Sequence, residues 1–134
     1  MKRYLLIALI ILQTIFFSAC NTNKDSSLLL PNRIDVISVS ISYGDEKETI
    51  TDKEIIDNLF ANLSAVSNKS GESYTDSPRA DSFIKIVFEV SDGLSGNVVY
   101  AFEKSDGFFI EQPYNGIFSI EESQYSAISD ILFK

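Results

Sequence analysis

Between Ile34 and Tyr43 the chain alternates, with Ile37, Val39, Ile41 and Tyr43 apolar and Ser38, Ser40 and Ser42 small and polar. Residues two apart on an extended backbone point the same way, so the pattern predicts a strand with one buried face. Asp81 to Ser91 repeats it, with Ile84, Ile86, Phe88 and Val90 against Lys85, Glu89 and Ser91. Strands apolar on a single side belong in an antiparallel sheet covered on one face, not in a parallel sheet buried on both.

The rest of the chain supplies the cover. Gly44-Asp45 ends the first strand, and Thr51-Asp52-Lys53-Glu54 has the capping-box pattern of a helix start, which predicts a helix from about Asp52 to Val66. Ile55, Ile56, Leu59, Phe60, Leu63 and Val66 fall on one stripe of it. Ser67 to Ala80 is polar, holds Gly71 and Pro78 and has no period, so it reads as a long exposed loop.

After Asp81–Ser91 the turn residues Asp92-Gly93 and Ser95-Gly96-Asn97 lead into a second strand, Val98 to Lys104, and Ser105-Asp106-Gly107 into a third, Phe108 to Glu111. A bend at Gln112-Pro113-Tyr114-Asn115 precedes an extended piece from Gly116 to Ile120. Ser119-Ile120-Glu121-Glu122 repeats the capping pattern before a helix with Tyr125, Ile128, Ile131 and Leu132 facing inward. The expected fold class is α+β: an antiparallel sheet of four to five strands with two helices on one face, in the order β-α-β-β-β-(β)-α.

The N-terminus is of another kind. Met1-Lys2-Arg3 is positive, Tyr4 to Phe17 is apolar apart from Gln13 and Thr14, and small residues follow. That is the layout of a secretory signal, and the run is shorter than the ~20 residues an untilted helix needs to cross a bilayer. Phe17-Ser18-Ala19-Cys20 resembles the lipobox of bacterial lipoproteins, with phenylalanine where leucine is more usual. The resemblance implies cleavage before Cys20, whose thiol accepts the lipid because a thiolate is a strong nucleophile near neutral pH. The expected organisation is a signal peptide over 1–19, a lipidated tether over 20–32 and a single α+β domain over 33–134, outside the cytoplasm and held on the outer face of the cell membrane.

Cys20 is the only cysteine, so no disulfide is available and stability must come from packing. Eleven Lys and Arg face nineteen Asp and Glu; loss of Lys2 and Arg3 on processing leaves nine against nineteen. Such an acidic body is repelled by phosphate backbones and by anionic lipid headgroups, which argues against nucleic acid and against a peripheral lipid surface as partners and leaves a cationic protein or peptide as a possible one.

Histidine is absent, and lipidation consumes the thiol. The commonest general base, the commonest transition-metal ligand and every thiol mechanism are thereby removed, and neither cofactor nor metal is expected. Asp92-Gly93 and Asp106-Gly107 lack the ligand run of a calcium loop, and no glycine-rich loop precedes a helix in the way nucleotide sites require. Two irregular stretches remain, Glu72 to Pro78 and Glu111 to Ile117, each with a tyrosine, a proline and hydrogen-bonding side chains. Tyr74, Asp76, Glu111, Gln112, Tyr114 and Asn115 form the expected binding surface, because tyrosine offers a large contact area and a polar tip at low entropy cost.

The lipobox, the Glu-x-x-x-Asp-x-Pro pattern at Glu72 to Pro78 and Glu-Gln-Pro-Tyr-Asn-Gly-Ile at Glu111 to Ile117 together resemble a family of small uncharacterised lipoproteins of Gram-positive bacteria. The resemblance implies a membrane-anchored extracellular domain and carries over no catalytic residue. The expected function is a non-enzymatic binding or sensing module. An inhibitor or immunity protein against a cationic toxin or lytic enzyme is the alternative, and a cell-envelope hydrolase a third.

Overall fold

The computed structural model describes residues 27–92 and 95–133; the signal segment and Cys20 lie outside them. Strands β1 (Val36–Tyr43) and β2 (Glu46–Ile50) form a hairpin, followed by helix α1 (Lys53–Ser64) and a short strand β3 (Lys69–Gly71). A meander of β4 (Ile84–Val90), β5 (Ser95–Lys104), β6 (Gly107–Gln112) and β7 (Gly116–Ile120) leads to helix α2 (Glu122–Leu132). Among the described residues the seven strands make one sheet, order β2-β1-β4-β5-β6-β7-β3, with antiparallel neighbours throughout.

The α+β class holds, but the strand count exceeds the expected four to five. Both extra strands are the edges. In β2, Glu46 to Thr49 are all exposed and only Ile50 is buried, so it has no apolar period to read. Strand β3 is three residues long and sits inside the expected loop, pairing Lys69 with Phe118 and Gly71 with Ile117. Short or charged edges of this kind discourage pairing with a second chain.

One face of the sheet carries the core. Val39, Ile41, Ile84, Ile86, Phe88, Val99, Ala101, Ile110 and Phe118 are fully buried on it, and α1 and α2 set Ile56, Leu59, Phe60, Leu63 and Ile128 against them. Phe60 meets Phe88 edge to face, ring centroids 5.1 Å apart, while Phe108 meets Tyr125 of α2 at 5.0 Å. Both helices therefore cover the same face.

Each helix starts one or two residues later than the capping patterns suggest. Asp52, not Thr51, caps α1, its carboxylate accepting from the amides of Glu54 and Ile55 at 2.9 and 3.1 Å. A carboxylate beside the positive end of a helix also gains from the macrodipole. At α2 the capping box is Glu121 with Gln124. Ser119 and Ile120 are unavailable because they pair with Phe109 and Phe108 as the end of β7.

The last residues of the expected tether are seated on the sheet. Leu28 is buried in the core, and Gln112 holds the backbone of Leu29 on both sides, accepting from its amide at 2.7 Å and donating to its carbonyl at 2.8 Å. Asn97 donates to the same carbonyl, and Asn115 donates to the Ser27 carbonyl at 3.0 Å. Ser27 to Leu29, expected within the tether, thus pack as part of the domain.

Candidate functional site

The registers sort side chains between the two faces of the sheet. Tyr100 lies opposite Glu111 and Phe102 opposite Phe109, all pointing away from the helices. This second face is partly covered by the segment from Glu72 to Phe83, which explains why β5 is apolar on both sides. Ser73, at the start of that segment, is buried and donates to Glu111 Oε1 at 2.6 Å. Phe83, at its end, meets Tyr100 edge to face at 5.2 Å.

The two sequence-selected loops meet here. Tyr114 Oη donates to Asp76 Oδ1 at 2.7 Å, and the Ser73–Glu111 bond lies behind it. A cleft of about 290 Å³ adjoins them, lined by Ser73, Tyr74, Arg79, Lys104 and Glu111 among others. Of the six expected residues, Tyr74, Asp76, Glu111 and Tyr114 are thus brought together. Gln112 and Asn115 are not, for they face the helix side, bonded to each other at 2.8 Å and to Ser27 and Leu29. They hold the N-terminal segment and belong to the scaffold.

The backbone at Tyr114 is unusual. The bend closes with Asn115 N donating to Gln112 O at 3.1 Å, and Tyr114, in its third position, has φ 60°. Proline followed by a residue of positive φ is the arrangement of a type II turn, where glycine or asparagine is the ordinary occupant. Among the described residues no other non-glycine has positive φ. A bulky side chain held in this region costs free energy, of order 1–3 kcal/mol, and residues kept there cluster at ligand clamps and switch regions.

Ser73 and Tyr100 were not among the expected residues. Tyr100 was legible, because Val98 to Phe102 is an unbroken apolar run that a strand with one wet face does not need. Nothing in the sequence marks Ser73. Glu103 and Glu111, a conceivable carboxylate pair, are on opposite faces of the sheet, since Glu103 lies opposite Phe108.

Two phenols at the site are shifted in the same direction. The phenol of Tyr114 is pushed above its ordinary value of 10.0, first by its hydrogen bond to Asp76 and then by the charge of that carboxylate. Burial raises Tyr100, with Asp76 and Glu111 adding to it. Neither phenol is primed to lose a proton. The Ser73 hydroxyl donates to the Glu111 carboxylate, and a carboxylate alone is a poor base for an alcohol. Among the described residues no three potential metal ligands gather, and no helix is long and apolar enough to cross a membrane.

These shifts have a measurable consequence. A tyrosine whose folded value is raised contributes stability that is complete below pH 10.0 and is lost as pH climbs through the folded value. Asp76→Ala is expected to move the Tyr114 titration down towards 10.0, seen as phenolate absorbance appearing at lower pH than in the parent chain. Superimposable titrations would mean that the Tyr114–Asp76 bond does not form in solution.

The fold and site define a small antiparallel α+β domain with a loop-built polar cluster on its open face. The chain belongs to the DUF5301 family, described as a domain of unknown function (DUF5300), whose model matches residues 22–119. It is also similar to a solved structure titled "NMR structure of the protein from Ruminococcus gnavus", at 25% identity and a TM-score of 0.61, covering 73% of this chain and 98% of that one. No curated protein matches this chain.

Proposed function

We propose that the chain is a lipoprotein anchored through Cys20 on the outer face of the membrane, and that its domain is a non-enzymatic binding or sensing module. The contact surface is built by Tyr74, Asp76 and Tyr114, with Ser73 and Glu111 fixing the loop behind them. The observation that carries this reading is Tyr114, 69% exposed yet held at positive φ and tied to Asp76. A turn needing only to reverse the chain has no use for a tyrosine there. Glycine in its place relieves the strain and leaves the fold its turn.

Tyr74, 78% exposed, stands two residues from Asp76. Two solvent-facing phenols, that of Tyr114 fixed by its bond to Asp76, offer an amphipathic contact at little cost in entropy. The anchor reading rests on the lipobox, and the non-enzymatic reading on the absence of histidine and on phenols shifted away from reactivity.

Photoreactive amino acids at positions 74 and 114 in intact cells test the surface. Both are expected to capture a partner above control positions such as Asp45 and Asp106 at the far end of the sheet. Capture no greater than at the controls refutes the surface. A cationic secreted protein among the products points to the inhibitor role, for which the excess of nineteen acidic over nine basic residues left after processing supplies the attraction.

A further inference from the structure

Six large hydrophobic side chains are exposed among the described residues. Tyr74 and Tyr114 belong to the site above, and Phe133 rests edge to face on Tyr43 at 5.8 Å. The other three, Leu29 (57% exposed), Ile34 (84%) and Ile37 (60%), have no such account.

Their placement is not scattered. Val36 pairs with Val90, Glu89 with Ser95 and Gln112 with Gly116, so the start of β1, the end of β4, the start of β5, the end of β6 and the start of β7 share one end of the sheet. The segment from Ser27 to Asp35 crosses that end, and all three side chains project from it or from the first residues of β1.

Each is fixed there by backbone geometry. Gln112 clamps Leu29 so that Leu28 points into the core and Leu29 away from it. Ile34 lies in a 3-10 turn, Arg33–Asp35, closed by Asp35 N to Asn32 O at 3.0 Å and joined to the sheet by Ser91 N to Asp35 O at 2.9 Å. A register irregularity between Val36 and Ser38 turns Ile37 outward. Beside the isoleucines lies a groove of about 420 Å³ with Val36 and Ile56 in its wall and Arg33, Lys53 and Asp57 at its rim. Arg33 is held by Asp57 at 2.6 Å.

We infer that this end of the domain rests on the lipid surface, with Leu29, Ile34 and Ile37 in the interfacial layer and the rim cations at the level of the lipid phosphates. The inference rests on lipidation of Cys20. Six residues lie between Cys20 and Ser27, and an extended chain covers at most about 3.6 Å for each of the seven steps, so the lipid lies within roughly 25 Å of this end. The apolar margin is the part of the domain nearest the bilayer. Exposed apolar groups gain free energy on leaving water, and an interfacial contact needs only such a margin with charges close behind it. Exposed Asp35 and the acidic body limit the contact to a shallow one. The strands then stand upright on the membrane, with the turn that carries Tyr114 at the same end of the sheet.

The test uses the full chain, purified from membranes and reconstituted in phosphatidylcholine vesicles containing acyl-brominated lipid. Single variants Ile34→Cys, Ile37→Cys and, at the far end, Asp45→Cys are labelled with a thiol-reactive fluorophore. The three positions are exposed, so the substitutions leave the core intact. Bromine is expected to quench the labels at 34 and 37 roughly twofold or more beyond that at 45, because interfacial contacts reach about 5–10 Å into the boundary. Equal quenching at all three, with one label per chain, overturns the docking and leaves the anchor standing. Two labels per chain show that Cys20 is unmodified, which overturns the anchor and the docking with it.

Discussion

Replacing Phe88 with alanine is expected to lower the unfolding free energy by about 3–5 kcal/mol, the usual cost of removing a buried aromatic ring and leaving a cavity. Phe88 has no exposed surface, lies opposite Val39 on β4, and takes the ring of Phe60 from α1 against its own. The change therefore loosens the seat of α1 as well as the interior of the sheet. A domain of this size has about 5–15 kcal/mol in all. The described domain has no cysteine to supply a disulfide, so nothing covalent offsets the loss. Urea unfolding should show a lower midpoint with the slope unchanged, since the surface exposed on unfolding stays the same. A loss below about 1 kcal/mol, the level of an ordinary surface substitution, would mean that α1 does not lie on β4.

What the sequence declared about this core, it declared through period. Ile84, Ile86 and Phe88 alternate with Lys85 and Glu89, and so β4 was legible before any contact was known. Strand β2 was not, because an edge strand buries little: Glu46, Lys47, Glu48 and Thr49 face water and satisfy only the hydrogen-bonding side of strand formation. The hairpin joining it to β1 depends instead on Gly44, whose φ of 57° suits the first central position of a two-residue turn. A backbone signal of that kind carries no hydrophobic pattern. Strand β3 is hidden for a related reason, since three residues are too few to show a period and its pairing with β7 is a matter of backbone approach. The close approach is at Gly116 of β7, where a Cβ would meet the Gly71 carbonyl at 3.1 Å.

The site was legible as two stretches, not as one place. Tyrosine, proline and carboxylate in an irregular segment mark a candidate surface from either end. That Tyr114 bonds Asp76 across 38 positions is a property of the sheet order, which lays β7 and β3 side by side. The same stretch misled at Gln112 and Asn115. In the bend, Glu111 points to the open face and Gln112 to the helix face, so neighbours of similar chemistry serve different ends. Leu28 to Leu30 ahead of Pro31 read as tether because the polar residues before them carry no period, yet Leu28 is buried in the core while Leu29 points away from it.

The proposed anchor makes the second large expectation, an all-or-none one. In the parent chain recovered from cell membranes, the intact mass should equal that of the polypeptide from Cys20 onward plus a lipid of two or three acyl chains. In Cys20→Ala it should equal the polypeptide with residues 1–19 still attached and no lipid, because the processing reaction needs the thioether that alanine cannot form. Membrane location alone does not discriminate, for the apolar run Tyr4 to Phe17 remains on the variant and can hold it at the bilayer. Mass does. The energetic difference is large, since each buried methylene contributes about 0.8 kcal/mol and an acyl chain carries many of them. Leu29, Ile34 and Ile37 cannot replace that anchor; they orient a domain already tethered. A parent chain of unmodified mass, or one equal in size to the alanine variant apart from the substitution, removes the lipoprotein reading and with it the reason to place this domain at a membrane.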